Sequence, residues 1–241
     1  MGCATTGIVA ILVFGAALIF SALSLLAPNW SMTESPMDPL TDIKFSTGVW
    51  GYCVNAKFNT GANLSSTMVD TCYGFYFGGK IPLNSSSNLR EVNGTHRTVC
   101  DALDSDSDLA QFMDVTGVDA TAFRSFLVLS CGSVGRSSFA FALLSTFFGV
   151  IAFLTSILFV ICFPVKSCLV SFLKAITFGA ALSSLIAFSC WLAQTKPLAK
   201  VGMHPGSCFV IEILACACFL GAYVAMNHHA ASESIEAKSI D

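Results

Sequence analysis

Hydrophobic and polar positions segregate along this chain in blocks the length of whole helices. The uncharged stretch 7–27 holds 21 residues, which at a rise of about 1.5 Å per residue crosses a hydrocarbon core about 30 Å thick. Stretches 137–163, 175–193 and 207–226 are also of helix length and nearly free of charge. The pattern predicts four spans. Residues 1–6 precede the first span, and polar segments 28–136, 164–174 and 194–206 separate the others. Residues 227–241 form a short polar tail, expected to be disordered. A cleaved signal requires a positive n-region, and residues 1–6 hold no Lys or Arg. The first stretch is therefore read as a retained helix.

Segment 28–136 is not uniform. Residues 45–77 are rich in aromatic, Val, Thr and Gly residues, with a turn expected near Gly61 and Asn63, and predict short antiparallel strands. Residues 84–98 read as polar loop. Asp104, Asp106 and Asp108 then precede Leu109, Phe112 and Met113 at near-helical spacing, predicting a short helix. The acidic run does not make a calcium loop: Leu109 stands where the Gly belongs and Val115 where the bidentate Glu belongs.

Composition supports a membrane chain, with 54% hydrophobic and 11% charged residues and a mean hydropathy of +0.72. No basic patch suggests nucleic acid as a partner. Lys166, Lys174 and Lys238 nearly balance Lys196 and Lys200, so the positive-inside rule does not orient the chain. Glycosylation acceptors do. Asn63, Asn84 and Asn93, with a weaker Asn29 beside the first span, all fall in 28–136, which places that segment outside and both termini in the cytosol.

Cys53, Cys72, Cys100 and Cys131 lie in the same outer segment, an even number in an oxidising compartment. Three connectivities are possible. Sequential pairing, Cys53 to Cys72 and Cys100 to Cys131, closes the shortest loops and is expected, with Cys208 as an alternative partner. Cys190, Cys216 and Cys218 read as small packing residues. Cys3, Cys162 and Cys168 sit near the cytosolic boundary as candidates for acylation, and Gly2 matches a myristoylation pattern. Glu212 falls inside the fourth span, where a carboxylate faces the protein interior; Arg136 is the expected ion-pair partner, with Lys196 and Lys200 as alternatives. Small residues recur at four-residue spacing, as in Ser145 with Gly149, Gly179 with Ser183 and Ala217 with Gly221, and predict close helix approach. No catalytic, metal-binding or phosphate-cradling constellation is present in the pattern, so no enzyme, cofactor or small-molecule substrate is expected.

Trp30 follows the first span, and Gly48-Val49-Trp50-Gly51-Tyr52-Cys53 follows it, with Cys72 beyond. This order resembles the signature of the claudin superfamily, which includes peripheral myelin proteins and calcium-channel gamma subunits. Val49 stands where the family commonly has Leu, and the outer segment is longer, with an additional cysteine pair. The resemblance implies an all-α four-helix membrane bundle carrying an extracellular antiparallel β-sheet domain. It also implies that Trp30 fixes helix height at the headgroups, that Gly48 and Gly51 allow close strand approach, and that a disulfide ties the Trp50 strand to the next. An Arg near the outer end of the second helix belongs to the family pattern, and Arg136 is the preferred match over Arg124.

Two functions follow as expectations. In one, the outer segment is an adhesion or assembly surface of a multi-pass plasma-membrane protein, with the bilayer, copies of itself or another membrane protein as partners; Phe75, Tyr76 and Phe77 are contact candidates, or else fill the sheet core. In the other, the chain is an auxiliary subunit of a channel, receptor or transporter.

Overall fold

The computed structural model describes residues 2–38, 41–59, 66–78, 80–82, 98–103, 116, 118–162 and 167–238. Helix α1 (Gly2–Leu26) leads into strands β1 (Ser31–Asp38), β2 (Thr41–Thr47), β3 (Gly51–Asn59), β4 (Ser66–Gly74) and β5 (Lys80–Pro82). Then come a single helical turn, α2 (Val99–Ala102), and helices α3 (Ala120–Cys131), α4 (Ser133–Cys162) and α5 (Ser167–Ala199). Strand β6 (His204–Pro205) and helix α6 (Ser207–Lys238) complete the order.

Among the described residues, four helical segments are long and apolar enough to cross a membrane: Gly7–Leu26, Ser133–Val160, Cys168–Ala199 and Ser207–His228. The third is far longer than the expected 175–193, because Lys174 at one end and Lys196 at the other continue the helix rather than end it. The fourth likewise runs on through Lys238, so the tail expected to be disordered is helical up to that residue. Termination of α5 is explicit. Pro197 removes one amide donor, and Gly202, at φ 86°, closes a Schellman cap in which Met203 N donates to Leu198 O and Gly202 N to Ala199 O. The expected second loop is therefore shortened to the residues after Ala199.

The chain divides into two compact units. The helix unit comprises Met1–Leu26, Ala140–Phe188 and Val210–Asp241. Its buried positions combine small residues with a few large ones: Ala17, Ala180, Ala181, Ala215 and Cys216 surround Phe219, and a second cluster sets Ala10, Ala152 and Ala222 among Phe14, Phe159, Leu173 and Met226. Leu12, Ile19, Phe147, Leu154 and Val224 point outward. Small residues at many of the contacts, with a row of large apolar side chains outside, suit helices packed by close approach in lipid. A Cβ on Gly149 would lie 2.9 Å from the Phe219 ring, so that glycine is required by packing. Ala217 is exposed and Gly221 has nothing within 4 Å, so the third small-residue pair packs against nothing described.

The sheet unit comprises Ala27–Phe139 and Ser189–Phe209. Its six strands run β5-β4-β3-β2-β1-β6, each neighbour antiparallel. The sheet is larger than residues 45–77 predicted. Strand β1 was hidden by Pro36, which sits at an irregularity between Ser35 and Asp38, beyond the two residues that β6 covers. Alternation places Phe45, Thr47, Tyr52, Val54, Thr71 and Tyr73 on one face, all buried. Helix α3, capped by Asp119 Oδ1 at 2.8 Å from Ala122 N, turns Phe123, Phe126 and Leu127 inward. Phe123 meets Tyr52 and Phe45 edge-on at 5.4 and 5.7 Å. The helix expected after Asp108 lies outside the described residues.

Candidate functional site

The residues of the Trp–Gly–Trp–Cys pattern converge within the sheet unit. Trp30 N donates to Thr47 O at 3.0 Å, while Gly206 N donates to Trp30 O at 2.8 Å and Cys208 N to Asn29 O at 3.0 Å. The strip after α1 is thus held by β2 on one side and by the β6 segment on the other. The Trp30 ring is fully buried, 5.5 Å from Trp191 and 6.3 Å from Phe209. Trp30 is thus a packing residue whose ring is enclosed by tertiary neighbours.

Gly48 and Gly51 both sit at close backbone approaches. A Cβ on Gly48 would lie 2.9 Å from Pro28 Cα, and one on Gly51 would overlap Tyr73 O. Gly48 N donates to Gly51 O at 2.8 Å, and Thr47 Oγ1 donates to the same carbonyl at 3.1 Å. Trp50, between them, is half-buried, and its carbonyl accepts from Phe75 N at 2.9 Å. Cys53 and Cys72 are register partners on β3 and β4 and form a disulfide. They occupy the face opposite Tyr52. Cys100 and Cys131 form the second, joining α2 to α3. Thr98 and Asp101 make a capping box on α2, and Cys100 N donates to Phe75 O at 3.3 Å. Cys208, the alternative partner, is a buried free thiol.

Of the three aromatic contact candidates, Phe75 is core and Tyr76 half-buried, its hydroxyl donating to Ser130 O at 2.5 Å. Only Phe77 is exposed, with Phe139 at 5.7 Å. Burial pushes the Tyr76 phenol up to about 12 against the lowering influence of Arg136. Tyr52 is raised well above the ordinary phenol value by burial and by Tyr73, and Tyr73 is raised by burial. Tyr52 Oη and Thr71 Oγ1 have no hydrogen-bond partner among the described residues.

Glu212 is the buried carboxylate of the helix unit, about one and a half turns into α6. The expected ion pair with Arg136 is replaced by hydroxyl contacts. Ser184 Oγ donates to Glu212 Oε1 at 2.6 Å, and Ser24 is a second hydroxyl neighbour. Arg136 is exposed in the first turn of α4, within reach of Tyr76. Ser21 continues the polar track, 2.9 Å from Thr146 Oγ1 and 3.4 Å from Ser145 Oγ.

Trp191 and Gln194 were not singled out by sequence. Trp191 Nε1 donates to Ser31 Oγ at 3.1 Å, and Gln194 Nε2 to Ser130 Oγ at 2.7 Å. The first contact also occupies the hydroxyl of the Asn29 glycosylation tripeptide. Trp191 and Gln194 are buried at the end of an apolar helix, where only an aromatic and an amide within an otherwise aliphatic run signalled them. Asn63, Asn84 and Asn93 lie outside the described residues, as do the side chains of Cys3 and Cys162; Cys168 is exposed. No protein-family model matches the chain, and no curated protein matches it.

Proposed function

We propose that this chain is a claudin-like integral membrane protein that organises membrane contacts or lateral assemblies through its disulfide-braced sheet unit. In this reading the four apolar helices span the plasma membrane, both termini are cytosolic and the sheet unit is extracellular. The observation that carries the proposal is the pairing of four membrane-length helices with an antiparallel sheet stapled by Cys53–Cys72 and backed by Cys100–Cys131. Disulfides persist on the oxidising side of a membrane. Phe77 on the strand exit and Val128 on α3 supply exposed apolar contacts for a neighbouring protein.

Purification in mild detergent followed by cross-linking tests the proposal. Homo-oligomers that Phe77→Ser or Val128→Ser weakens are the expected result. A monomer recovered in fixed ratio with one larger membrane protein would instead make the chain an auxiliary subunit.

A further inference from the structure

A cavity of about 140 Å³ lies within the sheet unit, between the last turns of α5, strand β6 and the first turn of α6. Trp191, Leu192, Met203, Pro205 and Phe209 give it apolar walls, and Lys196 and His204 also line it. Both of those side chains are exposed. The other polar wall groups are engaged, since Trp191 Nε1 donates to Ser31 Oγ and Thr195 Oγ1 to Trp191 O. Among the described residues no carboxylate lines the cavity, and neither Lys196 nor His204 has a side-chain hydrogen bond or ion pair.

We infer that this cavity binds one phospholipid of the surrounding leaflet, with the phosphate on Lys196 and His204 and part of an acyl chain between Trp191, Leu192 and Phe209. The inference rests on the four-span reading above. Lys196 stands three residues before the end of the apolar segment Cys168–Ala199, about 4.5 Å along the axis, where a long cationic side chain reaches headgroup level. Apolar walls of this volume suit a guest about the size of benzene, equivalent to a few methylene groups. A free anion would leave those walls without a partner. A sterol would leave the lysine and imidazole without an acceptor. A phosphodiester with an attached chain satisfies both.

The test uses the full chain in nanodiscs of zwitterionic phospholipid, containing either a phospholipid with a photoactivatable acyl chain or a photoactivatable sterol. The phospholipid probe is expected to label the peptide spanning residues 191–209, and native mass spectrometry to retain one phospholipid. Lys196→Glu, and Ala199→Trp to fill the cavity, each reduce labelling about tenfold, while Lys200→Glu, outside the cavity, leaves it unchanged. Variants are compared at equal folded fraction, judged by non-reducing gel mobility of the two disulfides. Equal phospholipid labelling in Lys196→Glu, or labelling of this peptide by the sterol alone, overturns the site. Alkaline extraction separates two failures. A chain that stays with the membrane but is not labelled overturns only the lipid site, and a chain released to the supernatant overturns the spanning reading with it.

Discussion

The helix unit and the sheet unit of this chain fill their interiors with different mixtures of residues. In the helix unit the interior is mostly Ala and Ser set around a few large side chains, Phe14, Phe159, Leu173, Phe219 and Met226, while many Leu, Ile, Phe and Val face outward. The sheet unit buries Trp30, Phe45, Tyr52, Phe75, Phe123 and Phe126, and adds two disulfides. The difference follows from the solvent each suits. In lipid, large side chains gain nothing by leaving the surroundings, so small ones that permit close approach and hydroxyls that bond across helices take the interior. In water, aromatic burial is the main driving term, and a small domain with a limited core relies on cross-links.

The contrast predicts which changes harm which unit. The largest effect is expected for Cys53→Ser or Cys100→Ser, each costing about 2–4 kcal/mol. Proteolysis of the sheet unit then accelerates while helicity of the membrane segments persists. Equal loss in both units would erase the distinction. Next comes Gly149→Leu, which overpacks Phe219 and costs about 1–3 kcal/mol; Gly221→Leu, at a position open on its outer side, stays within about 0.5 kcal/mol. Detergent melting curves compare the two. Glu212→Gln keeps a hydrogen-bond acceptor for Ser184 and is expected to express like the parent, whereas Glu212→Lys places an ammonium among hydroxyls and lowers expression. Arg136→Ala leaves the melting temperature of the helix unit unchanged if Ser184 is the carboxylate's partner, and lowers it if an ion pair holds α6.

Alkali acts on the sheet unit through its buried phenols. The folded phenols of Tyr52, Tyr73 and Tyr76 are all raised, so the neutral form is favoured by folding. Their contribution is fully present below the unfolded phenol value of about 10 and is lost as pH rises toward the folded values. For Tyr76 that window ends near the folded value of about 12. Tyrosinate absorbance rising in step with sheet unfolding is the expected record. Tyr52→Phe removes a buried hydroxyl lacking a described partner and is expected to be neutral or stabilising by about 1 kcal/mol, read from the melting temperature of the sheet unit.

Hydropathy made the four apolar helices legible, because helices that meet lipid must be apolar for their whole crossing. The cysteine count made the bridges legible, and shortest-loop pairing matches the two that form. Helix ends were not. Lys174 and Lys196 look like boundaries by charge, yet long amphipathic side chains are compatible with a continuing helix. Helix α3 was missed because only Phe123, Phe126 and Leu127 give it periodicity within a segment otherwise read as loop. The partner of Glu212 was missed for a different reason. Ser184 lies 28 residues away and carries no charge by which to find it.

The proposed topology puts the sheet unit and the start of α5 on opposite sides of a membrane. A membrane-impermeant maleimide applied to intact cells tests this with two exposed positions, Phe77→Cys and the native Cys168. The account predicts that the parent chain is labelled only after permeabilisation and the Phe77→Cys variant also before it. Labelling of both positions before permeabilisation, or of neither until afterwards, would contradict it.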